Sequence, residues 1–218
     1  MDKQMNLDIS IIESDSEIRL LILEAMRSHL DIAFNKSISE IREEIKRIVI
    51  EALKKEPEYE SLVSGSLKFE FGIPDSTAID RVIILMADTL EISKVPITSS
   101  NFGLTGGYKM TMIKSDDING IIKDEAATVQ DDARGYVLPW LDWLLFQSNK
   151  PIVKDFEVRL GPNNNSRTGM AIMVDSNKNW RVPPQFAGTI TNNWTTRAIE
   201  NTEKDILKIM QTSIEKNI

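Results

Sequence analysis

Ser37-Ile-Ser-Glu-Ile-Arg-Glu-Glu-Ile-Lys-Arg-Ile-Val-Ile-Glu-Ala52 sets Ile38, Ile41, Ile45, Ile48, Val49 and Ala52 at the three- and four-residue spacing of one helical face. Ser37 followed three residues later by Glu40 has the capping-box pattern, which predicts a helix beginning at Ser37. Pro57 closes it, because proline lacks the amide that a helix interior needs. Upstream, Asp15 or Ser16 can cap an earlier helix with Ile18, Leu21, Ile22, Ala25 and Met26 on one face. Residues 1–56 thus read as a helical arm, and 57–218 as the sheet-containing body of a single α+β domain.

Within the body, Ser66-Leu-Lys-Phe-Glu-Phe71 alternates apolar and polar residues between Gly65 and Gly72, and is predicted to be a strand. Thr77 to Leu90 reads as an amphipathic helix with Ile79, Val82, Ile83 and Met86 inward. Ile92 to Thr98 and Tyr108 to Ile113 read as strands joined by the glycine-rich Asn101 to Gly107. The polar, acidic stretch 114–135 is expected to be a long insertion or ordering loop. Ile152 to Leu160 and Met170 to Val174 flank the turn Gly161-Pro-Asn-Asn-Asn165 as a hairpin. From Trp194, the residues Ala198, Ile199, Ile206, Ile209, Met210 and Ile214 draw one stripe along a C-terminal amphipathic helix. The expected sheet is mixed or antiparallel, with helices inserted between its strands.

Composition narrows the chemistry. The 218 residues include no cysteine, which removes disulfides, thiolate metal sites and cysteine nucleophiles and suits a reducing cytoplasm. The single histidine, His29, lies in a helical stretch, so a Ser-His-Asp triad or a typical zinc site is disfavoured. The first ten residues lack the basic-then-apolar progression of a signal peptide, and no run of 18 apolar residues predicts a membrane span. A net charge of -7 argues against sequence-specific nucleic-acid binding. The charge is uneven, since residues 150–197 hold seven Lys/Arg against three acids. That asymmetry suits head-to-tail contact between copies or a solvated surface.

Several clusters invite functional readings. Gly103-Leu-Thr-Gly-Gly-Tyr-Lys109 lacks phosphate-loop spacing and reads as a connection between strands. Asp116-Asp117 and Asp131-Asp132 are acidic turns or, in the alternative reading, oxygen ligands of a metal-assisted hydrolase. Ser166-Arg167-Thr168-Gly169 can position a hairpin, bind an anion, or carry Arg167 to an acidic neighbouring subunit. Trp140 and Trp143 lie on one helical face with Leu144. Trp180-Arg181 and Trp194-Thr-Thr-Arg197 pair tryptophan with arginine, as the energetic centres of protein interfaces do, although tryptophan is equally at home in a core. Arg197 stands three positions after Trp194, where it can stack on the indole and reach a carboxylate on an adjoining subunit. Trp140, Trp143, Arg167, Trp180, Arg181, Phe186, Trp194 and Arg197 are the candidate subunit-interface residues. No residue is assigned as catalytic, and no cofactor is expected.

The runs Leu138-Pro-Trp-Leu-Asp-Trp-Leu-Leu145, Gly161 to Met173, Trp180-Arg-Val-Pro-Pro-Gln-Phe-Ala-Gly-Thr189 and Asn193-Trp-Thr-Thr-Arg-Ala-Ile199 resemble virion structural proteins of large contractile-tailed bacteriophages, including cyanophages. The order of features is similar to that of the tail-completion family. A long N-terminal helix over 36–56 is followed by Ser64-Gly-Ser-Leu67, an aromatic segment over 136–146, Pro184-Gln-Phe186 and Arg197-Ala-Ile199 before a terminal helix. Phe146-Gln-Ser148 stands where that family has Phe-Gly-Thr. The resemblance implies a homo-oligomeric ring, commonly a hexamer, in the virion neck between head connector and tail, with connector, tail-tube or sheath proteins as neighbours. An assembly chaperone that leaves the particle is the other non-enzymatic reading.

Overall fold

The computed structural model describes residues 14–100, 102–131, 135–147 and 149–218. Its elements run α1 (Asp15–Lys55), α2 (Pro57–Val63), α3 (Ser66–Phe71), α4 (Thr77–Asp88), β1 (Glu91–Ser100), β2 (Gly103–Thr111) and α5 (Ser115–Ile122). There follow a 3-10 turn (Glu125–Ala127), β3 (Val129–Asp131), β4 (Tyr136–Leu138), α6 (Trp140–Leu145), β5 (Phe156–Leu160), β6 (Ala171–Asp175) and α7 (Trp194–Asn217). The α+β class and the C-terminal helix match the sequence reading.

Helix α1 is the spine. Its 41 residues make a rod about 60 Å long at 1.5 Å per residue. Ser14 caps it, with the Glu17 carboxylate accepting the Ser14 amide at 2.8 Å, and that bond holds the Glu17 pKa below its usual value. The helix does not restart at Ser37. Ser37 is buried mid-helix, and its hydroxyl lies 2.8 Å from Ala33 O and 2.9 Å from Ser213 O. The local pattern matched a cap, yet nothing in residues 33–36 breaks a helix, and the hydroxyl is satisfied by carbonyls instead.

Ala33, Ser37, Ile41, Ile45, Val49 and Leu53 are buried at steps of four residues. Each step advances the stripe about 40° around the axis, so α1 offers different faces to different partners along its length. Helix α7 runs antiparallel to the C-terminal part, from Trp194 Nε1 donating to Leu53 O at 2.9 Å to the Ser37–Ser213 contact. Helix α4 lies antiparallel as well, clasped by Lys46–Asp88 at 2.9 Å and Lys54–Asp80 at 2.8 Å. Lys54 holds the Asp80 carboxyl below its usual range. The β1–β2 ribbon lies along residues 24–35, fixed by Lys94–Asp31 at 2.8 Å, Ser99 Oγ donating to Glu24 at 3.4 Å, and Tyr108 stacked on Phe34.

Among the described residues the strands form three separate two-stranded antiparallel ribbons, β1–β2, β3–β4 and β5–β6, where the sequence suggested one sheet. Two strands alone are marginal, so each ribbon depends on the helices it covers. In β1 the register shifts between Val95 and Thr98, where Pro96 has no amide to give the ladder. Gly106 makes that irregularity possible, since a Cβ there would sit 2.8 Å from Ile97 Cα.

Ser66–Phe71 is a helix, not a strand. Leu67 and Phe71 are buried one helical turn apart, and Gly72, left-handed at φ 71°, closes the turn. A six-residue apolar alternation fits either period, and the glycine cap decides it. The expected long insertion at 114–135 is largely structured by α5 and the 3-10 turn, with Ile121, Ala126 and Ala127 buried. One core joins Ile41–Leu53 of α1 to Leu62, Leu67, Phe71, the inner face of α4, Trp140, Leu144 and Ile206. Among the described residues no helix is long and apolar enough to cross a membrane.

Candidate interaction surface

The apolar stripe on the N-terminal half of α1 does not face the core. At 100° per residue, Leu21, Ile22, Ala25, Met26, His29 and Ile32 fall within an arc of about 140°. Leu21 is 66% exposed, and Ile22, Met26 and Ile32 are each at least half exposed. The adjoining face, with Leu23, Leu30 and Phe34, is half-buried against β1–β2. Helix α7 ends at Asn217, whose side-chain amide donates to Ser37 Oγ at 3.1 Å, and so stops short of this part of α1. The tip of the β1–β2 ribbon adds Phe102, 97% exposed, and Val95 is also exposed. A continuous row of large apolar side chains in water is a feature of surfaces that associate.

The expected interface residues divide. Trp140, Trp180 and Trp194 are packed in the core of this chain. Trp140 Nε1 donates to Ala126 O at 2.9 Å, and its ring lies 6.3 Å from Phe71. Trp180 meets Phe71 edge-on at 6.2 Å. Trp194 spends its indole donor on Leu53 O, one of the carbonyls left over at the end of α1. Trp143 and Phe186 are half-buried against the core, while Arg167 and Arg181 are exposed.

Arg197 has a different role from the one its spacing suggested. Its guanidinium donates to Glu58 Oε1, to Glu56 Oε2 at 3.4 Å and to Asn192 Oδ1 at 3.0 Å. The Glu58 side chain is 0% exposed, so Arg197 neutralises a buried carboxylate of its own chain. Arg159, Lys178 and Arg197 are among the cations of 150–197 that are paired within the chain, which weakens the basic patch as a source of head-to-tail attraction.

Of the two acidic doublets, the first lies wholly within the described residues. Asp117 accepts the Lys114 amide at 2.9 Å as part of the α5 start, and Asp116 is exposed. Asp132 lies outside the described residues, as does the side chain of Asp131. Among the described residues no group of three or more His, Cys, Asp or Glu side chains is arranged to hold a metal ion. Sequence periodicity revealed the α1 stripe but not its outward orientation, and it gave no sign of the Arg197–Glu58 pair. Comparison with protein-family models, curated proteins and solved structures finds no match.

Proposed function

We propose that the chain is a non-enzymatic structural subunit of a tailed-phage virion, a ring-forming neck or tail-completion protein that joins the head connector to the tail. The motif order in 36–199 supports the phage assignment by resemblance. The observation that carries a role in assembly is the exposed apolar stripe of α1, Leu21, Ile22, Met26 and Ile32, beside the exposed ribbon tip at Phe102. In the ring, this arm lies against a neighbouring copy, and Trp143, Arg167, Arg181 and Phe186 supply contacts from the body.

Mass spectrometry and imaging of purified virions test the proposal. The expected result is a hexamer's worth of copies per particle, located at the neck. Absence from mature particles, with presence in assembly intermediates, would replace it with the chaperone reading. Saturable magnesium or manganese binding accompanied by hydrolysis would replace it with the metal-assisted hydrolase.

A further inference from the structure

A cavity of about 550 Å³ opens between α3 and the β3–β4 and β5–β6 ribbons. Its walls are mainly apolar, with Phe69, Val129, Leu138, Phe156, Val158 and Met173 among them. Glu70 and Trp180 form a wall shared with a second cavity of about 370 Å³. Trp180 is buried, and its Nε1–H has no partner at hydrogen-bond geometry, although the Glu70 carboxyl stands near enough to draw on it. Burial pushes the Glu70 carboxyl above its ordinary pKa, and the neighbouring indole offsets part of that rise.

Apolar concavities of this size with a few convergent polar groups are the usual form of small-molecule sites. A buried donor held off its nearest acceptor is costly to leave so. An acceptor on a bound molecule would meet it. At the indole a carboxylate cannot serve well, because Glu70 stands beside it and like charges would meet in an apolar setting; Arg167, which also lines the cavity with Ser166 and Thr168, is already engaged. A hydroxyl can accept from Trp180 Nε1 and donate to Glu70.

We propose that this cavity binds a neutral small molecule with an aromatic or branched apolar body and a single hydroxyl group, the body among the side chains of the two ribbons and the hydroxyl at Trp180 and Glu70. The proposal is independent of the virion reading.

Fluorescence of N-phenyl-1-naphthylamine, a neutral apolar probe, tests it on the full chain. The probe should bind saturably with one site per chain, and 2-naphthol should displace it about tenfold better than 2-methylnaphthalene, the difference expected of one hydrogen bond. Trp180→Phe should remove that advantage and leave 2-methylnaphthalene unaffected. Ala171→Leu narrows the cavity and should weaken both competitors; if it melts early, Met173→Trp obstructs the same space from a side chain that is 40% exposed. A Leu21→Glu/Met26→Glu variant should bind the probe as the wild type does. No saturable binding, equal displacement by the two competitors, or loss of binding in the α1 variant and not in the cavity variants would overturn the proposal.

Discussion

Replacing Arg197 by alanine should destabilise the isolated chain. Arg197 sits in the first turn of α7 and donates to a Glu58 carboxylate that has no exposed surface, with Glu56 and Asn192 completing its contacts. Removing one partner of a buried pair strands the other charge, a loss of about 3–5 kcal/mol. Arg197 is itself 34% exposed, so water entering the space left by the guanidinium relieves part of this, and about 3 kcal/mol is expected. For a chain of 218 residues, that corresponds to a drop in Tm of roughly 6–12 °C. Combining Arg197→Ala with Glu58→Gln should recover much of the loss, because a neutral amide tolerates the site better than an unpaired carboxylate. Thermal melts by circular dichroism, with urea midpoints as a second probe, measure both variants. A single variant melting within 2 °C of wild type, or a double variant no more stable than the single, would refute the reasoning.

Other perturbations separate packing from charge. At Gly188 an added Cβ would stand 2.7 Å from Leu144 O, Leu145 O and Asn193 Cβ, so Gly188→Ala should cost about 3 kcal/mol in urea unfolding. Ser37→Ala removes the hydroxyl near Ser213 O without adding bulk; it should cost about 1 kcal/mol and speed amide exchange at the end of α7. Because burial raises the folded-state pKa of Glu70, its carboxyl imposes no penalty below the unfolded value near 4.5. Stability is lost as pH rises from there through the folded pKa. Glu70→Gln should therefore melt higher than wild type at pH 8, with the gap closing by pH 4 in a series of melts.

Much of the fold was legible in local periodicity. The α4 and α7 helices, the β1–β2 and β5–β6 pairs and the helix from Ile38 onward follow from apolar spacing and turn residues. The failures are of two physical kinds. At Ser37 and at 66–71 the local pattern satisfied two structures equally, and the choice fell to Ser213 on α7 in one case and to the left-handed Gly72 in the other. At Trp140, Trp194 and Arg197 the residue types were informative but their partners were not in view. Glu58 is 139 positions from Arg197, and the tryptophan composition that marks interfaces also builds cores. The α1 stripe was read correctly as amphipathic, but a period cannot say whether the chain supplies the surface that covers it.

That stripe is the centre of the assembly account, and sedimentation velocity on wild type and the Leu21→Glu/Met26→Glu variant tests it most directly. The wild type should show weight-average sedimentation rising with protein concentration as copies associate weakly. The variant should stay monomeric with an unchanged melting temperature, because both substituted side chains are at least half exposed. Identical sedimentation of the two proteins across the series would contradict the claim that this face joins one copy to the next.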